Sequence, residues 1–319
     1  MKTTPPTLNR RQAISTIACT AGALTLPRLA TAKPVSSRQI PAVPGDLPIH
    51  WRRREKAGDG FRIIEEKVKW KASETAIIIC DMWSEHPCMM AANRVALMAP
   101  RMNQIVSAAR DHGVAIIHAP SGGMKLYDDT PFRKRIKEAK PAKPPVPIKG
   151  WCYHNPEQEG KWPIVDNIAR GKAKVTGCDD PDPIPHFEID RHQHAAIKIM
   201  GYDVISDKGQ EIYNFLEQEG RKNVVLMGVH TNMCVLGRPF GIRQQSYLGK
   251  NVVLCRDLTD ALYDPRDEPF VSHTRGVELV IEHIEKYWCP SILGESLTRI
   301  IPGSNGPESP LSSKPQRAQ

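Results

Sequence analysis

Gly228-Val229-His230-Thr231-Asn232-Met233-Cys234-Val235 follows directly on Asn223-Val224-Val225-Leu226-Met227. The leading run is short, apolar and rich in β-branched residues. That is the pattern of a strand buried on both faces of a parallel sheet. Residues 235 to 248 can continue as a helix, whose first turns Gly237 and Pro239 should weaken or kink. The stretch between is then the turn at the carboxyl end of a strand, where open α/β sheets place their ligands. Cys234 falls at or near the first turn of that helix. There the helix dipole favours a thiolate and free N–H groups point outward. A nucleophilic thiol and an oxyanion site can share such a turn. A cysteine with only packing to do fits the same place, so the rest of the chain has to decide.

Outward from this stretch, strands and helices alternate. Glu74-Thr75-Ala76-Ile77-Ile78-Ile79-Cys80-Asp81 reads as the first clear strand and ends in an acid. Val95 to His112 has helical apolar spacing, with Gly113 as its stop and Pro100 as a kink or the true start. Val114-Ala115-Ile116-Ile117-His118 is a second strand, and His194-Ala195-Ala196-Ile197-Lys198 a third that ends in a lysine. A helix is expected from Asp207 to Gly220, a strand at Asn251-Val252-Val253-Leu254-Cys255, and an amphipathic helix from Phe270 to Lys286. This alternation predicts an α/β fold, a mostly parallel, doubly wound sheet with helices on both faces. Asp81, Lys198 and Cys234 then stand at the carboxyl ends of strands that converge on one crevice. An acid to take a proton, an ammonium to lower a thiol pKa and the thiol itself make an activated nucleophile. An Asp–Lys ion pair at the sheet rim beside a core cysteine is the simpler alternative.

The 319 residues are 40% hydrophobic, enough for one large core. Net charge is +9, and Lys2, Arg10, Arg11 and Arg28 lie in a segment expected to be removed. The mature chain is then mildly basic and has no long Lys/Arg block, which argues against nucleic acid as a partner. Residues 1–32 read as a twin-arginine-type signal: Arg10-Arg11, a modest apolar run from Ala13 to Leu26, then Ala30-Thr31-Ala32. That run is too short and polar for a membrane span, so a periplasmic protein with no membrane segment after signal removal is expected. Residues 33–71 read as an extended lead-in along the surface, and residues 301–319 as a disordered tail. Inside the domain at 72–300, residues 120–192 form an irregular insertion of the kind that usually serves as a lid or pocket wall. Cys152 and Cys178 lie within it and could form a disulfide.

These residues resemble a known family. Gly228 to Val235 looks like the nucleophile motif of the isochorismatase-like cysteine hydrolases, relatives of nicotinamidase and N-carbamoylsarcosine amidase. Ile79-Cys80-Asp81-Met82 is similar to the family's first-strand acid, Ala196-Ile197-Lys198 to its lysine, and Asp257 to His273 to its fifth-strand and last-helix segment. The resemblance implies a three-layer sandwich around a six-stranded sheet and an Asp81-Lys198-Cys234 triad. It further implies oxyanion donors at the N–H groups of His230 and Cys234, and a cis peptide between Val229 and His230. Nicotinamidases carry an Asp-x-His metal cluster after the second strand. Here His118-Ala119-Pro120-Ser121 stands in that place, so no metal and no cofactor is expected. Trp83, His86, His118 and Trp151 are candidates for the substrate pocket, with Trp151 and Tyr153 as a lid. His192 and His194 could ligate a metal, and Arg238 could meet an anionic substrate, although surface roles are simpler for all three.

The expectation is a hydrolase of a small amide or related C–N bond that works through a thioester, with a small molecule as its partner and a homo-oligomeric assembly. Vinyl-ether hydrolysis and a binding domain with a relic triad are the alternatives. Exchanging Arg10 and Arg11 for lysine is expected to leave unprocessed precursor in the cytoplasm. Immunoblots of cell fractions check this, and normal processing after Ala32 would refute the signal assignment.

Overall fold

Strands β1 (Asp46–Ala57) and β2 (Gly60–Lys71) form a long antiparallel hairpin at one edge of the sheet. The computed structural model describes residue 40 and residues 44–165, 177–181 and 189–302. All of them belong to one compact unit, Pro34–Gln319. The expected signal at 1–32 lies outside the described residues, as does the tail beyond 302.

Over residues 46–71 the expected surface lead-in is this hairpin of the sheet, and its cause is side-chain alternation. Leu47, Ile49 and Trp51 point into the core on one side of β1. Arg52 and Arg54 point the other way and close on Glu285, at 2.9 and 3.1 Å. The Glu285 side chain is fully buried, so the ion pairs hold the hairpin to the helix that carries it. Arg52 and Arg54 thus form a docking face.

Six parallel strands follow: β3 (Thr75–Cys80), β4 (Ala115–Ala119), β5 (Val204–Ile205), β6 (Asn223–Val229), β7 (Asn251–Asp260) and β8 (Ser291–Ile292). The sheet order is β2-β1-β8-β7-β6-β3-β4-β5, eight strands in all. The expected six-stranded parallel sheet is its core, and the hairpin adds two more strands through an antiparallel β1–β8 pair. The order in which strands are added reverses between β3 and β6, which lie side by side and parallel. This is the topological switch point, where ligands bind in doubly wound sheets.

Both faces are covered. Ile77 and Ile79 of β3 pack under helix α1 (Met89–Asp111) with Val95, Met102 and Val106. Ala76, Ile78 and Cys80 face the opposite core, shared with helices α4 (Gly209–Gln218), α6 (Ile242–Tyr247) and α7 (His273–Tyr287). α1 starts six residues earlier than its apolar spacing suggested and runs through Pro100. Among its described residues the insertion contributes two short α-helices, α2 (Pro131–Lys137) and α3 (Pro156–Glu159).

Two other expectations fail. Residues 194–198 form a turn, and the third strand is the two-residue β5, which pairs with Ile117 and His118 of β4. The helix expected from Val235 to Leu248 is split into α5 (Cys234–Gly237) and α6. Arg238, Pro239, Phe240 and Gly241 separate the halves. A residue before proline is driven out of the helical region, and Arg238 is accordingly extended (φ −60°, ψ 158°).

Gly228 permits a close approach between β6 and β3. It has φ +104°, and a Cβ there would sit 2.1 Å from the Cys80 carbonyl oxygen of β3. Replacing Gly228 with alanine is expected to destabilise the fold by at least about 3 kcal/mol, combining strain with overpacking. Urea unfolding monitored by circular dichroism measures it. A loss below about 1 kcal/mol would show that β3 and β6 can part freely at this point.

Candidate active site

β3 delivers Asp81 to the switch point. The residue takes a left-handed conformation (φ +46°), which aspartate tolerates better than most side chains. Its side chain is almost fully buried. The Ser121 N–H donates to Oδ1 at 2.7 Å, so the loop after β4 fixes the carboxylate.

β6 delivers the turn that holds Cys234. The Val229–His230 peptide is cis. The turn is clasped to the end of β7: Asn232 exchanges two hydrogen bonds with the Leu262 backbone (2.9 and 3.0 Å), and Thr231 N–H donates to the Asp260 carbonyl (2.8 Å). The β6–β7 register shift past Leu226 brings Thr259 and Asp260 opposite Gly228 and Val229. Met233 and Val235 N–H groups both donate to the His230 carbonyl. The N–H groups of His230 and Cys234 have no backbone partner among the described residues.

The cation comes from an unexpected place. Lys198 is exposed, and its ammonium donates to the Ala195 carbonyl at 3.1 Å. Its N–H is held by Asn103 and its carbonyl by Arg110, both on α1. Because 194–198 is a turn against α1 and not a strand, Lys198 never reaches the crevice. Arg238 stands there. Its Nη2 lies 3.4 Å from Asp81 Oδ2, and both charges lie close enough to the Cys234 thiol to shift its pKa. A cation four residues after the cysteine and just before a proline was the signal that could have found it. The break after Gly237 swings Arg238 back over the thiol.

Burial pushes the Cys234 thiol above its ordinary pKa, the Asp81 charge raises it further, and Arg238 pulls it back. The short α5, with only four residues, does not produce the lowered thiol expected from a helix dipole. Burial is the largest effect on the Arg238 cation and works against it, but Asp81, Cys234 and Cys80 together outweigh it and keep the guanidinium protonated. The resting pair is a neutral thiol beside a carboxylate, bridged by a permanent positive charge.

Trp83 and His86, which follow Asp81 in the chain, stack with ring centroids 6.2 Å apart. The Cys88 N–H donates to His86 Nδ1, so a neutral His86 carries its proton on Nε2 and donates to His230 Nε2 at 3.2 Å. Burial lowers the pKa of both, His230 to about 3. Trp151 of the insertion lies over Arg238, while Tyr153 is exposed. His118 is no pocket residue. It is fully buried, with one ring nitrogen on Gln193 (2.8 Å) and the other on Asp203 (3.0 Å). It ties down the loop that follows the insertion. His192 is exposed and paired with Asp190, and His194 is half-buried, its Nδ1 accepting from the Ala196 N–H.

The cysteines of the insertion lie apart. Cys152 is buried beside Gln244 (Sγ to Oε1 3.5 Å), whereas Cys178 packs near Cys88, and all seven described cysteines are free thiols. His154, Glu159 and His283 stand close enough to share a metal ion. Glu159 Oε2 already accepts from His283, Arg243 and Trp288, at 2.6 to 2.8 Å. The positive charge that an ion would bring to this carboxylate is supplied by Arg243.

A family model described as the isochorismatase domain matches residues 75–271. Among solved structures, the chain is similar to a cysteine hydrolase from Pseudomonas syringae pv. phaseolicola 1448A, at 17% identity, covering 72% of this chain and 93% of that one, with a TM-score of 0.44. An isochorismatase from Pseudomonas putida KT2440 gives 11% identity over 71% and 91% of the two chains, with a TM-score of 0.40. N-carbamoylsarcosine amidase from Thermoplasma acidophilum gives 12% over 60% and 87%, with a TM-score of 0.32. No curated protein matches the chain.

The buried histidines have a consequence for stability. An unfolded His230 takes up a proton below about pH 6.5, whereas the folded one stays neutral down to about 3. Its lowered pKa therefore contributes stability above pH 6.5 that is lost as pH falls. Between pH 6.5 and 5 the loss from this residue is about 2 kcal/mol. Urea midpoints measured at pH 7 and pH 5 should differ less in a His230→Gln variant than in the unaltered protein. An equal difference in both would remove His230 as the cause.

Proposed function

As the chain belongs to the isochorismatase family, we propose that it is a cysteine hydrolase of a small amide or related C–N bond, with Cys234 as nucleophile, Asp81 as proton carrier and Arg238 as the cation. The observation that carries this reading is the meeting of those three side chains at the switch point. The Cys234 sulfur attacks the substrate carbonyl carbon while its proton passes to Asp81. Arg238 stabilises the developing thiolate, and the N–H groups of His230 and Cys234 take the oxyanion. Protonated Asp81 then gives its proton to the leaving nitrogen, the C–N bond breaks, and a thioester remains. Asp81 next draws a proton from water, the hydroxide adds to the thioester, and the acid departs as the Cys234 thiol is restored.

Arginine suits this scheme in one respect and departs from lysine in another. It stays charged at any working pH and so cannot carry the proton. Proton transfer is left to Asp81 alone. Export to the periplasm forms part of the proposal through Arg10-Arg11, and no described helix is long and apolar enough to cross a membrane. A small-molecule substrate and a homo-oligomeric assembly complete it.

A panel of small amides identifies a substrate, and variants then test the roles. Cys234→Ala is expected to abolish turnover with the fold intact. Asp81→Asn and Arg238→Ala should each lose about 10²–10³-fold in kcat. Lys198→Ala should change it by less than about twofold, as an exposed substitution. Mass spectrometry of an acid-quenched reaction should find the acyl group on Cys234 alone. Near-normal turnover by Cys234→Ala would overturn the covalent route and leave Asp81 as a plain proton donor, the chemistry of vinyl-ether hydrolysis. Loss of activity in Lys198→Ala without unfolding would restore the lysine.

A further inference from the structure

The contact between Arg238 and Asp81 is a poor clamp. It is single and 3.4 Å long, and Arg238 Nε is buried without a partner. A guanidinium on a flexible stem needs a second surface to hold its plane. Trp151 provides one, with its ring centroid 5.5 Å from the guanidinium carbon. An indole face attracts a cation and suits a planar one best.

The indole is itself fixed. Its ring rests so closely on Gly237 that a Cβ there would lie 2.6 Å from Trp151 Cε2. The Cys152 N–H donates to the Gly237 carbonyl at 2.8 Å. Arg243 of α6 donates to the Cys152 carbonyl at 3.0 Å, and Gln244 accepts from the Lys149 N–H at 2.9 Å. Arg243 is anchored in turn by Glu159 at 2.8 Å. This stretch of the insertion is thus stapled to the two halves of the broken helix, and Trp151 is stationed over the break that releases Arg238.

We propose that Trp151 is a positioning residue, its indole holding the Arg238 guanidinium against Asp81 and Cys234. Formation of the thiolate then depends on the insertion, although no atom of the insertion need touch the reacting carbon. This inference rests on the assignment of Arg238 as the site's cation. A residue that merely closed the site would act in the opposite direction, because its loss would admit reagents faster.

The test is the rate of Cys234 alkylation by iodoacetamide at pH 8, read by peptide mass spectrometry on the folded protein. Trp151→Ala is expected to slow alkylation about tenfold, since a thiolate stabilised by one cation–π-held charge is that much more populated. Trp151→Phe should recover most of the rate. Gly237→Ala, which displaces the ring without removing it, should slow the reaction like Trp151→Ala. In an Arg238→Ala background, removing Trp151 should add no further effect. Unchanged or faster alkylation in Trp151→Ala, with Arg238→Ala slow, would overturn the positioning role and leave the cation in place. An unchanged rate in Arg238→Ala would overturn both. Turnover by Cys234→Ala bears on the covalent mechanism alone, so the two failures stay distinct.

Discussion

A side chain on residue 228 would have to share space with the Cys80 carbonyl oxygen. With glycine there, β3 and β6 approach closely at the point where the strand order of the sheet reverses, and each ends within reach of the other's last residue. Asp81 leaves β3 into the gap, and the turn from His230 to Met233 leaves β6 beside it. The turn cannot drift, because Thr231 and Asn232 are bonded to the end of β7. The loop after β4 closes on Asp81 through the Ser121 N–H. An acid and a thiol drawn from segments more than a hundred residues apart are thereby held in one buried space.

Burial of that space raises an electrostatic question, because an unpaired carboxylate away from water is costly. Arg238 answers it from the same turn that bears the thiol. Cys234, Gly237 and Pro239 work as a unit here: a four-residue helix begins at the cysteine, then the proline drives Arg238 into an extended conformation that ends the helix. The charge therefore reaches the carboxylate from Cys234's own segment. Burial lowers the pKa of His86 and His230, so neither adds a charge beside the Asp81–Arg238 pair at neutral pH.

The insertion and the N-terminal hairpin both act on this arrangement from outside the parallel sheet. The hairpin docks through Arg52 and Arg54 on Glu285. The insertion docks through Glu159 on Arg243. In each case a buried carboxylate accepts from arginine brought by a distant segment, which specifies one geometry because a mismatched arrangement would leave a charge unpaired.

What the sequence determined by itself is whatever depends on local pattern. Short apolar runs such as Ile77-Ile78-Ile79 and Val224-Val225-Leu226 can be satisfied only as strands buried on both faces, so the α/β class, the parallel sheet and the strand-end positions of Asp81 and Cys234 were legible in them. The clash of Gly237 and Pro239 with a continuous helix was legible too. Tertiary structure decided the rest. Ala195-Ala196-Ile197 reads as a strand, but partners on α1 make it a turn, and Lys198 goes to the surface with it. Residues 46–71 alternate charge and apolar groups in a way that fits an exposed ribbon until Glu285 is known to lie beneath. His118 looks like a pocket residue until Gln193 and Asp203 occupy both its nitrogens. Arg238 appears as one more surface arginine until the break in its helix aims it at Asp81. Periodicity reports which face of an element is apolar, whereas the partner of a charge is set by which segments the fold brings together, and that information is spread over the whole chain.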